Sequence, residues 1–373
     1  MRLSIVLGTR PEIVKMSPVI RACQDAAVSF SILHTGQHYS YNMDRVFFEQ
    51  LDLPDAGYNL DAGSGSHGQQ TGRILEGVEQ FLRREQPDAV LVEGDTNTVL
   101  AGALAATKLG IEVGHVEAGL RSHDKRMPEE INRVLVDHCS DYLFAPTERS
   151  RENLTREGLQ AKTFVVGNTV VDAIFHNLEI SKQRRSVLKD LDLETGRYFL
   201  ATAHRQENVD DVTNMRGIVR GLELVAKEFG LDVVYPIHPR ANRRLKEFGI
   251  STDGIRITEP LDYWGFLQLE SNARLVLTDS GGVQEEACVL SVPCLTLREN
   301  TERPETLEVG ANLLAGTDPH EILEKARVML QKRTKWENPF GDGRAGQRII
   351  EILRNNYRAS QVELKQMSIA GVS

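Results

Sequence analysis

The sequence predicts an α/β protein with two Rossmann-like, doubly wound halves that face each other across a cleft. Short buried-strand runs alternate with amphipathic helical stretches from residue 2 to residue 166, the pattern of a parallel sheet covered by helices. A long helical stretch at 170–191 then ends in a charged, weakly apolar segment, as a connection between domains tends to. The alternation resumes at residue 199, and a length of 373 residues suits two domains.

The individual elements follow from apolar periodicity and from glycine and proline punctuation. Gly8 ends the first strand and Pro11 opens the first helix. In the first half, strands are predicted at 2–7, 30–34, 89–92, 113–116, 142–145 and 163–166, and helices at 12–27, 41–51, 96–109, 129–138 and 149–157. In the second half, strands are predicted at 199–203, 233–237, 255–257, 275–277, 294–297 and 312–314.

The predicted domains are residues 1–170 and residues 171–343. A turn-forming stretch at 338–343 precedes a helix at 344–357, and residues 358–373 are expected to form a flexible tail.

Composition narrows the function classes. The formal net charge is -9, so no general basic surface invites nucleic acid or anionic lipid. No apolar run reaches the length of a membrane span, and the N-terminus lacks a signal-peptide pattern, which predicts a cytoplasmic protein without a membrane partner. The four cysteines lack metal-binding spacing, and His34 and His38 flank a strand end, so no metal site is expected.

Acidic residues stand at the ends of neighbouring predicted strands. Asp95 and Glu117 follow the strands at 89–92 and 113–116, and Glu129 opens a helix after Pro128. Because ligands of an open parallel sheet bind beyond the carboxyl ends of its strands, these acids are expected in one crevice. Each alone could serve as a helix cap or a dipole partner. Gathered together, acids are costly unless they bind cations or move protons.

The turn after the strand at 275–277 is a candidate phosphate site. Ser280, Gly281 and Gly282 expose N–H groups at a helix start, where backbone donors and helix dipole favour an anion. A plain helix cap at Ser280 is the alternative. Glu286 lies further along the same helix, where a ribose diol of the same nucleotide could be hydrogen-bonded.

Cationic side chains occupy other strand-to-helix turns. On an otherwise acidic protein they would neutralise a diphosphate and stabilise it as a leaving group. Taken singly, each also suits an ordinary solvated charge. These candidates are Arg10, Lys15, His204 and Arg205.

Two glycine-rich stretches, 63–68 and 341–346, match the dinucleotide-binding fingerprint literally. Neither follows a predicted strand, and the fingerprint has meaning only between a strand and a helix, so nicotinamide binding is not expected. The first stretch could instead be a mobile lid over the crevice.

Six motifs occur in order between residue 1 and about residue 357: GTRPEIVK from Gly8, EGDTNT from Glu93, GHVEAGLRS from Gly114, MPEEINR from Met127, DSGGVQEEA from Asp279 and NTERPET from Asn300. Together they resemble the non-hydrolysing UDP-N-acetylglucosamine 2-epimerases. The resemblance implies the GT-B arrangement of two Rossmann domains, with the last helix packed on the N-terminal domain, and a homodimer. It also implies reversible conversion of UDP-GlcNAc to UDP-ManNAc without NAD or metal.

The same resemblance implies roles for individual residues. Asp95, Glu117 and Glu129 match the catalytic acids, and His204 matches a histidine near the diphosphate. Phe266 matches the aromatic residue that stacks on uracil. The substrate-binding candidates are Arg10, Lys15, Arg133, His204, Arg205, Phe266, Ser280, Gly281, Gly282, Glu286 and Arg303.

The implied reaction explains why several acids are needed. The C2 hydrogen becomes acidic only when the departing diphosphate leaves positive charge at C1. A carboxylate can then remove it to give a 2-acetamidoglucal and UDP. A second acid must return a proton to the opposite face before UDP adds again, and the sequence does not specify which acid serves which face.

Residues 36–40 and 124–126 depart from the bacterial pattern where those relatives help hold a second, activating UDP-GlcNAc, so that allosteric site is not expected here. Alternatives remain open: the same epimerisation of UDP-2,3-diacetamido-glucuronic acid, a GT-B glycosyltransferase, and a catalytically silent nucleotide-sugar sensor.

Overall fold

The computed structural model describes residues 1–36, 41–332 and 335–370. The chain divides into two compact units: the first comprises Met1–Ala173 and Phe340–Ser373, and the second comprises Ile174–Pro339. The boundaries therefore fall at residues 173 and 340, where the sequence predicted 170 and 343. Two expectations that involve residues 37–40 lie outside the described residues: that His38 is not a metal ligand, and that residues 36–40 do not help to hold a second UDP-GlcNAc.

A parallel sheet of seven strands forms the centre of the first unit. Its strands are β1 (Arg2–Leu7), β2 (Ser29–His34), β3 (Tyr58–Asn59), β4 (Ala89–Glu93), β5 (Glu112–Val116), β6 (Tyr142–Ala145) and β7 (Thr163–Val165). Their order is β3-β2-β1-β4-β5-β6-β7. The chain reverses its direction of winding between β1 and β4, and open α/β sheets bind ligands at such switch points.

Helices cover both faces of this sheet. They are α1 (Arg10–Asp25), α2 (Tyr41–Gln50), α3 (His67–Glu85), α4 (Asn97–Lys108), α5 (Pro128–Cys139), α6 (Glu148–Arg156) and the first residues of α7 (Thr169–Lys182). Successive strand side chains point to opposite faces. Leu3 and Ile5 join one buried cluster, with residues of α1, and Val90 and Val92 join another, with residues of α3 and α4.

The second unit has its own parallel sheet, of six strands. These are β8 (Tyr198–Thr202), β9 (Asp232–Pro236), β10 (Ile255–Thr258), β11 (Leu275–Thr278), β12 (Cys294–Thr296) and β13 (Asn312–Leu314), in the order β10-β9-β8-β11-β12-β13. The helices after α7 are α8 (Val187–Asp190), α9 (Gln206–Val209), α10 (Val212–Phe229), α11 (Pro239–Glu247), α12 (Tyr263–Asn272), α13 (Gly281–Val289), α14 (Pro304–Glu308) and α15 (Pro319–Gln331). The α/β class with two doubly wound sheets is confirmed.

The last helix, α16 (Ala345–Ala370), packs on α1 in the first unit. Ile349 and Leu353 lie in the same buried cluster as the β1 side chains. Gly346 marks the closest approach, because a Cβ there would lie 2.7 Å from the carbonyl carbon and oxygen of Pro18. The helix continues to Ala370, so residues 358–370 are helical where the sequence analysis expected a tail.

The structure differs from the sequence prediction in three further elements. The helix α3 and the short strand β3 were not predicted. The glycine-rich stretch 63–68 therefore does lie between a strand and a helix, although β3 is only two residues long and lies at the edge of the sheet. The helix predicted at 170–191 is divided into α7 and α8. None of the helices in the described part of the chain is long and apolar enough to cross a membrane.

Candidate active site

In the first unit, a lysine lies between two buried carboxyl groups at the ends of β4 and β5. Lys15 Nζ is 2.5 Å from Glu117 Oε2 and 3.3 Å from Glu93 Oε1. Both glutamates are buried. Burial raises the pKa of Glu93 well above its usual range; the Lys15 charge opposes this effect, and the nearby Glu117 carboxylate adds to it. The structure thus brings Lys15 and Glu117 together, as neighbours of a carboxyl group that the sequence analysis missed.

The backbone at Glu117 is in the left-handed region, with φ of 68°. A non-glycine residue is uncommon there, and such conformations persist where the surrounding structure enforces them, often at functional sites. The turn after β5 therefore holds this side chain beside Lys15 at a local cost in backbone energy.

A third buried carboxyl group, Glu12, belongs to the first turn of α1. Its Oε2 accepts the N–H of Gly8 at 2.6 Å, and its Oε1 accepts the hydroxyl of Thr96 at 2.7 Å. Burial raises the pKa of Glu12 to about 7, against the lowering effect of these donors. Gly8 is required here, because a Cβ would lie 2.1 Å from the hydroxyl oxygen of Thr35. Glu12 was also missed by the sequence analysis, although it lies within the GTRPEIVK motif.

Asp95 is positioned by Arg133 on α5. One guanidinium nitrogen of Arg133 binds Asp95 Oδ2, and the other lies 2.7 Å from Glu130 Oε2. Glu130 also accepts the N–H groups of Ser122 and His123, both at 2.9 Å. Although burial acts to raise the pKa of Glu130, these donors and Arg133 together lower it. Arg133, expected to bind substrate, here bridges two protein carboxylates.

Asp95 and Glu129 line a pocket of about 270 Å³ within the first unit. Glu129 is exposed at the start of α5. Polar side chains complete the wall: Asn97 Nδ2 donates to Gln70 Oε1 at 2.8 Å, and Asn132 Nδ2 donates to the Asp95 carbonyl at 2.9 Å. The two asparagines lie in the EGDTNT and MPEEINR motifs, and their amide chemistry was not considered in the sequence analysis.

His115 holds the turn that carries Asp95 through a hydrogen bond to the residue before it. Its Nε2 is 2.8 Å from the Gly94 carbonyl oxygen, and its Nδ1 is 2.6 Å from Asp137 Oδ1. Asp137 is fully buried, which acts to raise its pKa, but His115 and Arg121 outweigh the effect of burial and lower the pKa.

Arg10, the remaining candidate of this unit, is half-buried at the start of α1, and its guanidinium carbon lies 4.7 Å from the centre of the Phe47 ring.

In the second unit, Asp279 organises the turn that carries His204 and Arg205. Its Oδ2 accepts the N–H groups of both residues and the side-chain amide of Asn208, each at 3.0 Å. His204 Nδ1 lies 3.1 Å from Oδ1, while half of the His204 side chain remains exposed. Burial acts to raise the pKa of Asp279, but His204, Arg205 and Asn208 outweigh it and lower the pKa. Asp279 begins the DSGGVQEEA motif, yet only its position in space reveals this role.

Ser280 is the N-cap of α13, as the structural alternative proposed, with its Oγ 3.4 Å from the Val283 nitrogen. Gly281 and Gly282 are the first helical residues, and neither is fully buried. A Cβ at Gly281 would lie 4.0 Å from Arg205 Nη2, so the helix start and this guanidinium are neighbours. A capped helix start with accessible N–H groups beside a cation suits an anionic ligand.

Further along α13, the half-buried Glu286 lies 3.4 Å from the Tyr263 hydroxyl, which can donate to it. Beneath it is the fully buried Glu270, whose pKa is raised well above its usual range by burial and then by the neighbouring Glu286. Phe266 is half-buried on α12 and packs on the core of the second unit. Glu286 and Phe266 therefore belong to two helices, α13 and α12, that are in contact through Tyr263.

Three arginines of the second unit, Arg303, Arg298 and Arg205, each lie near a carboxylate. Arg303 Nε is 2.8 Å from Glu285 Oε1. Arg298, missed by the sequence analysis, binds both oxygens of Glu302 at 2.9 Å, and despite burial this pairing helps to lower the pKa of Glu302 to about 2. Arg205 Nη1 lies 3.8 Å from the same carboxylate. These acids fix the direction of each guanidinium.

In the described ranges, 1–36, 41–332 and 335–370, no group of three or more His, Cys, Asp or Glu side chains could hold a metal ion.

The chain is similar in sequence to a family of known proteins. A family model described as UDP-N-acetylglucosamine 2-epimerase matches residues 21–354. The chain is 55% identical over 366 residues to the UDP-N-acetylglucosamine 2-epimerase of Methanocaldococcus jannaschii, covering 95% of this chain and 99% of that protein. It is 41% identical over 355 residues to the UDP-2,3-diacetamido-2,3-dideoxy-D-glucuronate 2-epimerase of Pseudomonas aeruginosa, covering 95% and 99%.

Among solved structures, the crystal structure of Methanocaldococcus jannaschii UDP-GlcNAc 2-epimerase in complex with UDP-GlcNAc and UDP matches with a TM-score of 0.85 and 55% identity. The match covers 95% of this chain and 100% of that chain. A second match, to the Neisseria meningitidis UDP-GlcNAc 2-epimerase bound to UDP-GlcNAc, has a TM-score of 0.85 and 34% identity over 95% and 100% of the two chains. The chain therefore belongs to the UDP-N-acetylglucosamine 2-epimerase family.

Proposed function

We propose that this protein is an isomerase that interconverts UDP-GlcNAc and UDP-ManNAc at C2 of the sugar. The observation that carries the proposal is the 55% identity, over nearly the whole chain, to an epimerase whose crystal structure contains UDP-GlcNAc and UDP. Elimination of UDP and its re-addition are redox-neutral, so the proposed reaction consumes no NAD, and the motif resemblance implies that it needs no metal.

UDP recognition is assigned to the second unit. The N–H groups at the start of α13 and the guanidinium of Arg205 bind the diphosphate, with His204 beside them. Glu286 accepts hydrogen bonds from the ribose, and Phe266 stacks on uracil. Arg303, held by Glu285, adds a directed cation. Support for these roles comes from the motif resemblance and from the clustering of the groups around one helix start.

Proton transfer at C2 is assigned to the carboxylates of the first unit. Asp95, Glu117 and Glu129 are the candidates, and their surroundings differ: Glu117 is buried beside Lys15, Asp95 is half-buried beside Arg133, and Glu129 is exposed. Carboxylates in unlike surroundings can divide the roles of base and acid. Loss of the C2 proton moves the C–H electron pair into a C1–C2 double bond as UDP departs with the C1–O pair. Return of a proton to the other face precedes re-addition.

The test is proton NMR of UDP-GlcNAc with the purified protein in D2O, without added NAD or metal. The expected result is growth of UDP-ManNAc together with loss of the proton signal at C2 as deuterium enters. A control reaction with Asp95→Asn should retain UDP binding and lose the exchange. If the wild-type protein forms no UDP-ManNAc and exchanges no C2 proton, the substrate assignment is wrong.

A second candidate substrate is UDP-2,3-diacetamido-glucuronic acid, which would undergo the same C2 epimerisation. The 41% identity to the Pseudomonas aeruginosa enzyme favours it over unrelated reactions. A direct comparison of kcat/KM for the two nucleotide sugars separates the candidates.

The motif resemblance further supports a homodimer acting in the cytoplasm. Sedimentation equilibrium of the full chain tests the oligomeric state, and a mass equal to that of one 41.7 kDa chain would refute the dimer.

A further inference from the structure

The Lys15 cluster, defined as Lys15, Glu12, Glu93 and Glu117, combines three buried carboxyl groups with one cation that contacts two of them. All three glutamates are less than one-tenth exposed. Lys15 Nζ reaches Glu117 at 2.5 Å and Glu93 at 3.3 Å. Glu12, from the same helix as Lys15, acts electrostatically on Glu93. These are the charged groups that face Glu93 from α1 and from the turn after β5.

A count of charges fixes the protonation of this cluster. One ammonium group can balance one carboxylate, and each further unpaired carboxylate in a buried site is strongly unfavourable. Glu12 already has its pKa raised to about 7, mainly by burial. Of the remaining two, Glu117 has the shorter contact with Lys15 and therefore carries the negative charge. Glu93 is left as the group that keeps its proton, in agreement with the raised pKa that burial gives it.

We propose that Glu93 is a positioning residue: its protonated carboxyl donates a hydrogen bond to Glu117 and holds Glu117 ionised and aimed for proton transfer at C2. This inference depends on the proposed function, because it names the group that prepares one of its proton-transfer residues. Glu117 accepts the C2 proton in one direction of the reaction and returns it in the other. The proton on Glu93 stays in place throughout.

The main test compares Glu93→Gln with Glu93→Ala. Glutamine keeps the shape and a donor, so Glu93→Gln should retain kcat within about fivefold at neutral pH. Alanine removes the donor, and Glu93→Ala should lower kcat by about 100-fold, the scale of general acid–base catalysis, with KM nearly unchanged. Glu85→Gln is the matched control. Glu85 is a buried carboxyl in the same unit that binds Arg2 and Tyr58 at the opposite end of the sheet.

The pH profile supplies a second signature. In the wild-type protein, alkaline pH removes the Glu93 proton, which abolishes the donor and places a second negative charge beside Glu117. Activity should therefore fall on the alkaline side; this fall should be smaller in Glu93→Gln, where Glu12, whose pKa is also raised, still ionises, and unchanged in Glu85→Gln. Equal losses in Glu93→Gln and Glu93→Ala would overturn the proposal, as would full activity of Glu93→Ala.

Infrared difference spectroscopy tests the protonation state without any turnover. The C=O stretch of a protonated carboxyl should be present near neutral pH in the wild-type spectrum and reduced in Glu93→Gln. An unchanged carboxyl band would refute a protonated Glu93 even if the alanine variant failed to fold. Since this measurement needs no substrate, failure of the proposed epimerisation and failure of this inference give different results.

Discussion

Replacement of Asp279 by asparagine should lower the free energy of unfolding of the second unit by an amount that depends on pH. Asp279 Oδ2 accepts three hydrogen bonds of 3.0 Å from His204, Arg205 and Asn208. Hydrogen bonds to a charged group contribute roughly 1 kcal/mol more than neutral ones, so loss of the charge across three donors costs about 3 kcal/mol. The asparagine side chain also carries an NH2 group, which would face the N–H donors that now point at the Asp279 carboxylate.

The sign of the pH dependence follows from the lowered pKa of Asp279, which its hydrogen-bond donors depress against the effect of burial. A carboxyl group whose pKa is lower in the folded state contributes stability above its unfolded pKa, here 3.8. That contribution is lost as the pH falls through the folded value. The difference between wild type and Asp279→Asn should therefore be complete at neutral pH and shrink below about pH 4.

Urea unfolding followed by tryptophan fluorescence can measure this difference. The chain has 2 tryptophans, Trp264 and Trp336, and both lie in the second unit. Asp210→Asn is the matched control, because Asp210 pairs with Arg240 and Arg244 at the surface of the same unit and should not measurably change the transition. A loss below about 1 kcal/mol for Asp279→Asn, or a loss that persists at acidic pH, would refute the reasoning.

Three other substitutions test separate features. Arg133→Met removes the cation that holds Asp95, and C2 exchange should fall about 100-fold in D2O NMR while UDP binding by calorimetry is retained. Gly346→Ala places a methyl group 2.7 Å from the Pro18 carbonyl, so thermal unfolding should show a loss of about 1–3 kcal/mol. Burial raises the pKa of Glu270 well above its usual range. The free energy of unfolding of the wild-type protein should therefore fall by up to about 1.4 kcal/mol per pH unit as the pH rises from the unfolded towards the folded pKa of Glu270. Urea unfolding of Glu270→Gln should not show this contribution.

The parallel sheets could be predicted because strands buried on both faces are continuous apolar runs. Helix α3 was missed although Ile74, Val78 and Phe81 recur at the helical spacing of three to four residues within a polar sequence, so the pattern itself predicts an amphipathic helix. Strand β3 is two residues long and carries no periodicity. The end of α16 was misjudged for a related reason: residues beyond 357 show little apolar patterning, yet the helix continues.

Candidate site residues at strand ends could be predicted because the carboxyl ends of parallel strands share one edge of a sheet. The structure brings Lys15 to Glu117 and Arg133 to Asp95. Glu93 could not be identified in this way, since a glutamate at the end of an apolar run gives no sign of whether water or another carboxyl group will face it. Its role depends on a contact with α1, which is distant in sequence.

Asp279 in the second unit and Glu93 in the first are buried acids whose pKa values are shifted in opposite directions, and the donors around each carboxyl group decide the direction. Asp279 is surrounded by N–H groups that stabilise its charge, so it stays ionised and fixes the direction of the cationic turn at His204. Glu93 has one shared ammonium group and two carboxyl neighbours, so it keeps its proton. An ionised acid orients donors for an anionic ligand, whereas a neutral acid can support a neighbouring carboxylate without repelling it. Anion binding and proton transfer therefore call for buried acids with different surroundings, and Asp279 and Glu93 are one example of each.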